Sequence, residues 1–190
     1  MWSPQERSTS TSPCSDGHPS ASRVFVDSLS MADGAPLRIW RGAVLDEWID
    51  YNGHMTEGFY GVVFGMASDE YLIRMGFDQH YRASTGGSFY TVETHIAFID
   101  ELAPAAPLAV DTTVAGADQK RVHLFHELRG GGDGVLAATQ ESMMLHVDTS
   151  IDRVAPMAEA LYAVLRADAD AHAGLLPAGT TGRAIRAVGA

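Results

Sequence analysis

Between Thr56 and Met75 apolar residues recur at helical spacing, and Phe59, Val62, Val63, Met66 and Ile73 fall within one arc of the wheel, which predicts a long amphipathic helix. Gly58, Gly61 and Gly65 collect on another side of it. Each costs about 0.5–1 kcal/mol relative to Ala in a helix interior, so either a closely wrapped sheet or a thin ligand tunnel compensates, or the glycines are simply tolerated. Beyond the helix, 77–87 is polar, aromatic and Gly-rich and reads as a loop. Four strands are then predicted: Ser88 to Ile99, Leu108 to Ala117, Arg121 to Arg129 and Val135 to Val147. Short links, Asp118-Gln119-Lys120 and the glycine-rich 130–134, favour antiparallel hairpins. The longer link, Asp100 to Pro107, holds two prolines and suits a crossing connection. On the first of the four strands Tyr90, Val92, Ile96 and Phe98 share a parity and are expected on the helix, leaving Phe89, Thr91, Glu93 and His95 on the other face.

Ahead of the helix, Arg38 to Ile49 mixes β-branched and aromatic residues as a strand does. The order is therefore strand, long helix, four strands. An amphipathic helix in that setting buries its stripe against one sheet face, an α+β architecture with an antiparallel sheet of at least five strands around a long central helix. The Ala-rich 157–171 predicts a terminal helix.

Composition narrows the rest. Residues 1–22 are dominated by Ser, Thr and Pro with little to bury, so 1–30 is expected to be a disordered extension, 31–172 the folded domain and 173–190 a flexible tail. Met31 stands just before the domain as a candidate natural start of translation. With 13 basic against 24 acidic residues the net charge is −11, which argues against nucleic acid or an anionic membrane as partner. Cys14 is the single cysteine, so a disulfide framework and a thiolate metal cluster are excluded and a reducing compartment is expected. No apolar run approaches the roughly 18 residues of a membrane span, and residues 1–20 lack a signal peptide's apolar segment. The expected location is cytoplasmic.

The candidate chemistry centres on 45–60, Leu-Asp-Glu-Trp-Ile-Asp-Tyr-Asn-Gly-His-Met-Thr-Glu-Gly-Phe-Tyr. Asp50 falls at a strand-to-helix turn, and Asn52 and Gly53 are types that tolerate positive φ, so the turn can be tight. A carboxylate beside a helix N-terminus is an ordinary cap. It equally suits attack, or direction of water, on a carbonyl whose developing charge is received by amides of the first helical turn. His123 and His126 resemble a metal pair, but their odd separation puts them on opposite faces of a strand. Glu93 and His95 share a face and can pair or line a pocket. His54 either contacts substrate or packs at the helix entrance. Asp46 and Glu47 are either solvated or add negative field. A Gly-x-Ser-x-Gly elbow, a dinucleotide-binding glycine pattern and a P-loop are all missing from the sequence, which removes the serine hydrolase, oxidoreductase and kinase readings. No metal or cofactor is expected.

Asp50-Tyr51-Asn52-Gly53-His54-Met55, followed by a helix carrying Tyr60, resembles the signature of hotdog-fold acyl-CoA thioesterases of the 4-hydroxybenzoyl-CoA thioesterase type. Within that group, 51–57 together with Tyr90-Thr91-Val92-Glu93-Thr94-His95-Ile96 resembles the betainyl-CoA thioesterases of carnitine breakdown. The likeness covers about Leu37 to Val147. It implies a hotdog fold, Asp50 as the catalytic carboxylate, Gly53 as the turn glycine, and a carbonyl-polarising backbone N–H near Glu57. Many relatives have Asn where Thr56 and Glu57 stand, so only a backbone role is carried over to these two positions. It also implies a homodimer or homotetramer with sites at subunit boundaries. The substrate is expected to be an acyl-CoA, betainyl-CoA first, with an aryl or other short acyl-CoA as the alternative. A non-catalytic acyl-CoA-binding or assembly module is a third. Trp48, Tyr51, Tyr60 and Tyr90 are candidate faces for a trimethylammonium head, or else core residues. Lys120 and Arg121, at a hairpin turn, are candidates for the CoA phosphates, or else solubilise the turn.

Overall fold

A computed structural model describes residues 34–185, so the expected extension over 1–30, Met31 and the last residues of the tail lie outside the described residues. The elements follow as β1 (Leu37–Ala43), α1 (Glu57–Arg74), α2 (Gln79–Thr85), β2 (Gly87–Phe98), β3 (Pro107–Asp118), β4 (Arg121–Gly130), β5 (Val135–Asp148), β6 (Arg153–Val154) and α3 (Glu159–Ala171). One antiparallel sheet runs β1-β3-β4-β5-β2, with the two-residue β6 on β5. It curls around α1 as the hotdog order requires. The 100–107 link carries the chain from β2 at one side of the sheet to β3 at the other, the crossing connection its prolines suggest.

α1 buries Tyr60, Val63, Phe64, Ala67, Ser68, Tyr71 and Leu72, a continuous i, i+3, i+4, i+7 stripe. Each fully buried Phe64 or Val63 contributes about 1.5–3 kcal/mol. The predicted arc is therefore corrected: Val63 is in the core and Phe59 packs against it, while Val62, Met66 and Ile73 are more than 40% exposed. The helix carries two apolar stripes, and the sheet takes the one that includes the two tyrosines. A Cβ added at Gly58 or Gly65 meets open space, so within the chain no close wrap explains those glycines.

Three further expectations change. The segment over 38–49 is not one strand; β1 ends at Ala43, where the next amide, Val44, bonds to Ala106. A single 3₁₀ turn, Asp46–Trp48, follows. The expected 77–87 loop contains α2, started by Asp78 accepting from the Tyr81 amide at 2.8 Å and stopped by Gly86 at φ 67°. On β2 the register shifts between Thr91 and Glu93. This bulge puts Phe89 against the core beside Phe77 while Tyr90 and Val92 are exposed, so the predicted parity holds only for Ile96 and Phe98.

Two polar networks fasten the layers. His126, fully buried, places Nε2 2.9 Å from Ser68 Oγ on α1 and Nδ1 2.9 Å from Thr112 Oγ1 on β3. Burial holds its imidazolium pKa down at about 3, so the ring is neutral. His123 lies on the other face, paired with Glu141 at 2.8 Å. At the far end Tyr71 donates to Asp168 on α3 at 3.0 Å, and the Val114 amide donates to His172 at 3.0 Å. Within the segment after Ala173, the Gly182 amide donates to the Glu141 carboxylate.

Candidate active site

After the 3₁₀ turn, Ile49 bridges Met55, which closes 50–54 into a tight loop. Gly53 adopts φ 83°, and its amide donates to the Asp50 carbonyl at 3.0 Å. The Asp50 amide in turn donates to His54 O at 3.0 Å. Asp50 Oδ1 accepts the Asn52 amide at 2.7 Å and Oδ2 the Asn52 side chain at 3.4 Å. Asn52 is thus the residue that orients the Asp50 carboxylate. Asp50 sits on a loop ahead of α1 rather than directly at a strand end, and it is not among the residues that line the cleft at the α1 N-terminus within one chain.

Thr56 caps α1 without a side-chain hydrogen bond. The Glu57 amide therefore stands at the positive end of the helix macrodipole with no side-chain acceptor from its cap. Glu57 lines a cleft of about 380 Å³ together with Met55, Tyr60, Phe98, Ile99, Asp100 and Glu101. Tyr60 and Phe98 form an aromatic wall, and Glu57, Asp100 and Glu101 surround it with carboxylates. Burial, reinforced by the carboxylates of Asp100 and Glu101, pushes the Tyr60 hydroxyl up, which keeps it an O–H donor to Asp100 O at 3.4 Å. His54 reaches Glu101 at 3.2 Å.

The remaining candidates divide. Trp48 is buried and stacks on Phe59, which makes it a core residue. Tyr51 is 97% exposed on the loop. Tyr90 and Glu93 stand exposed on β2 and are not brought to the cleft within one chain. Lys120 and Arg121 are carried to the opposite end of the sheet, roughly 35 Å of strand from Pro107 at about 3.3 Å per residue. Arg121 is engaged there by Asp118 at 2.6 Å. Phe98, Asp100 and Glu101 were not among the expected site residues. The signal available for them was an acidic pair directly after a strand that packs on the helix.

Among the described residues no group of three or more His, Cys, Asp or Glu is placed to hold a metal, and no helix is long and apolar enough to cross a membrane.

A curled antiparallel sheet around a long helix, with a cleft at the helix start, defines the hotdog class of fold. The chain belongs to the thioesterase-like superfamily, whose family model matches residues 44–165. It is 38% identical to the betainyl-CoA thioesterase of Pseudomonas aeruginosa, over 78% of this chain and 94% of that protein. It is 45% identical, over 80% of its length, to the L-carnitine dehydrogenase/betainyl-CoA thioesterase of Agrobacterium fabrum, of which the match spans only 31%. Among solved structures it resembles a hypothetical protein of Staphylococcus aureus in complex with CoA, with a TM-score of 0.74 and 23% identity over 80% of this chain and 97% of that one.

Proposed function

We propose that the chain hydrolyses acyl-CoA thioesters, with betainyl-CoA as its substrate. The observation that carries this reading is the cleft at the α1 N-terminus, where the Tyr60 and Phe98 rings are ringed by Glu57, Asp100 and Glu101. Aromatic faces and nearby carboxylates are the partners a quaternary ammonium seeks, each ring contributing about 0.5–2 kcal/mol. The thioester oxygen takes the Glu57 amide, so the charge that develops there meets a fixed dipole. Asp50 either attacks the carbonyl carbon or draws a proton from water that does. When water attacks, its oxygen ends on the acyl carbon as the C–S bond breaks; when Asp50 attacks, the C–S bond breaks as an acyl–aspartyl anhydride forms, which a water then cleaves to free the carboxylate. In both routes the sulfur leaves as the CoA thiolate and takes up a proton. The product pair is glycine betaine and CoA.

The same reading includes a homodimer or homotetramer that completes the cleft. Its support is β2, a sheet edge of 12 residues with Tyr90 and Val92 exposed, together with the exposed Val62 and Met66 of α1. Tyr90 and Glu93 would then serve a neighbouring subunit's site. The reducing, cytoplasmic setting suits a CoA substrate.

Steady-state thiol release from betainyl-CoA, benzoyl-CoA and acetyl-CoA tests the proposal. Betainyl-CoA is expected to have the highest kcat/KM. A preference for benzoyl-CoA would make the cleft an aryl site, and CoA binding without thiol release from any of the three would leave a binding module.

A further inference from the structure

The acyl cleft has two neighbouring recesses that share lining residues with it or with each other. Its Asp100 and Glu101 also line an adjoining recess of about 190 Å³, whose outer wall is Gly130–Asp133 of the β4–β5 turn. The far side of that turn, Gly131–Gly134, lines a third, larger cleft of about 540 Å³ together with Arg38, Arg41 and Arg129. Asp100 and Glu101 are common to the first two recesses, and Gly131, Gly132 and Asp133 to the last two.

The inner and outer recesses differ in their charged residues, although Asp111 and Glu127 offset two of the outer arginines. The inner recess holds carboxylates; the outer recess gathers three of the chain's 13 basic residues despite a net charge of −11. Sheet register explains the gathering. Ala109 of β3 pairs with Arg41 on one side and with Arg129 on the other, so the two guanidinium stems flank a small residue across three strands. Arg38 is held by Asp111 through two bonds of 2.7 and 2.8 Å, and Arg129 by Asp111 and Glu127, each at 3.2 Å. Those bonds use Nε and Nη2 of each arginine and leave Nη1 for another acceptor. Arg41 has no carboxylate partner among the described residues. Asp133 is the one acidic residue in the lining.

The turn between β4 and β5 is built largely of glycine. Gly131 and Gly134 have φ of 73° and 63°, which accounts for glycine at both. Gly132 has no such backbone requirement, and a Cβ built there meets nothing within 4 Å. A side chain at 132 would extend into open space beside the turn.

We propose that the cleft of Arg38, Arg41 and Arg129 under the Gly131–Gly134 turn binds the phosphate-bearing nucleotide end of the CoA substrate, its neutral linker lying in the narrow recess that adjoins the acyl cleft. The inference rests on the acyl-CoA reading of the inner cleft. It moves phosphate recognition away from Lys120 and Arg121 to the end of the sheet that holds the α1 N-terminus.

The test uses adenosine 3′,5′-bisphosphate and free CoA as calorimetric probes of the full chain at low ionic strength, so that no step depends on turnover. Arg41→Ala is expected to weaken both ligands by roughly tenfold, the scale of one charge-assisted hydrogen bond, and added salt to narrow the difference from wild type. Gly132→Leu is expected to weaken both severalfold with an unaltered melting temperature. Arg82→Ala removes the same charge on α2 and is expected to stay within twofold. With acyl-CoA, Arg41→Ala should raise KM rather than lower kcat, because the contact persists through the reaction. Unchanged binding in Arg41→Ala, or a loss seen instead in Lys120→Ala with Arg121→Ala, would overturn the assignment while leaving hydrolysis intact. Arg41-dependent binding of the bisphosphate in a chain that releases no thiol would do the reverse, keeping the cleft and removing the thioesterase reading beneath it.

Discussion

Tyr60 and Phe98 meet edge to face, ring centroids 5.1 Å apart and planes at 88°. One belongs to α1 and the other to the last residue of β2, so the aromatic wall exists only because the sheet edge and the helix start converge. Phe98 is 52% exposed and makes little of the core, which allows it to be removed without unfolding the chain. Phe98→Ala is expected to lower kcat/KM for betainyl-CoA about three- to tenfold more than for acetyl-CoA, since only the cationic head loses a ring face. Phe98→Tyr should keep the preference. Equal losses on the two substrates would assign Phe98 to packing alone.

The Asp50 carboxylate is fixed by both nitrogens of Asn52, and an amide in its place retains an acceptor for the Asn52 N–H. Asp50→Asn should therefore fold normally and reduce turnover by about 10² to 10⁴, the range for loss of a general base. More than half the wild-type rate would show that the carboxylate takes no part in the chemistry.

What the sequence made legible was whatever depends on period. The long helix, the four downstream strands and the crossing link follow from 3.6- and two-residue repeats and from proline placement. What it hid depends on contacts distant in sequence. The choice between the two apolar stripes of α1 is made by the sheet: Tyr60 and Tyr71 are accommodated because Asp100 O and Asp168 receive their hydroxyls. The β2 bulge at Val92 carries no Gly or Pro to announce it. α2 was obscured by its polar, glycine-rich composition, although Asp78 and Gly86 mark its two ends. Asp50, Gly53 and Glu57 form one local run and could be found together. Asp100 and Glu101 enter the site only through the crossing connection, and Arg38, Arg41 and Arg129 meet only through strand register.

His126 supplies a pH dependence whose direction follows from burial. Unfolded, its imidazole protonates near 6.5; folded, it stays neutral down to about pH 3. Between those values the unfolded chain binds the extra proton, so stability is fully present above pH 6.5 and is lost as pH falls toward 3, at up to about 1.4 kcal/mol per pH unit. Urea unfolding between pH 7.5 and 5 should show this slope in the wild type and less of it in His126→Gln. Identical slopes would place the titration elsewhere.

Gly87 opens β2 directly over His146, and a Cβ there would lie 2.5 Å from Nε2. The ring has little room to move. Nδ1 is 2.9 Å from the Ala155 carbonyl, which can only accept, so Nδ1 carries the proton and Nε2 is the bare acceptor. Tyr81 accordingly donates its O–H to Nε2 at 3.0 Å and accepts the Ala158 amide at 3.1 Å. One imidazole thereby joins α2, β5 and the approach to α3. Because the Gly87 backbone is not in the left-handed region, Gly87→Ala introduces overpacking without backbone strain, expected to cost about 1–3 kcal/mol. Tyr81→Phe releases one side of the ring and should itself destabilise by about 1 kcal/mol. In the double variant His146 can swing away from the added methyl, so the combined loss should fall short of the sum of the single losses. Chemical denaturation of the four chains measures the coupling. Strict additivity would mean that the methyl is relieved by movement of β2 and not by the imidazole.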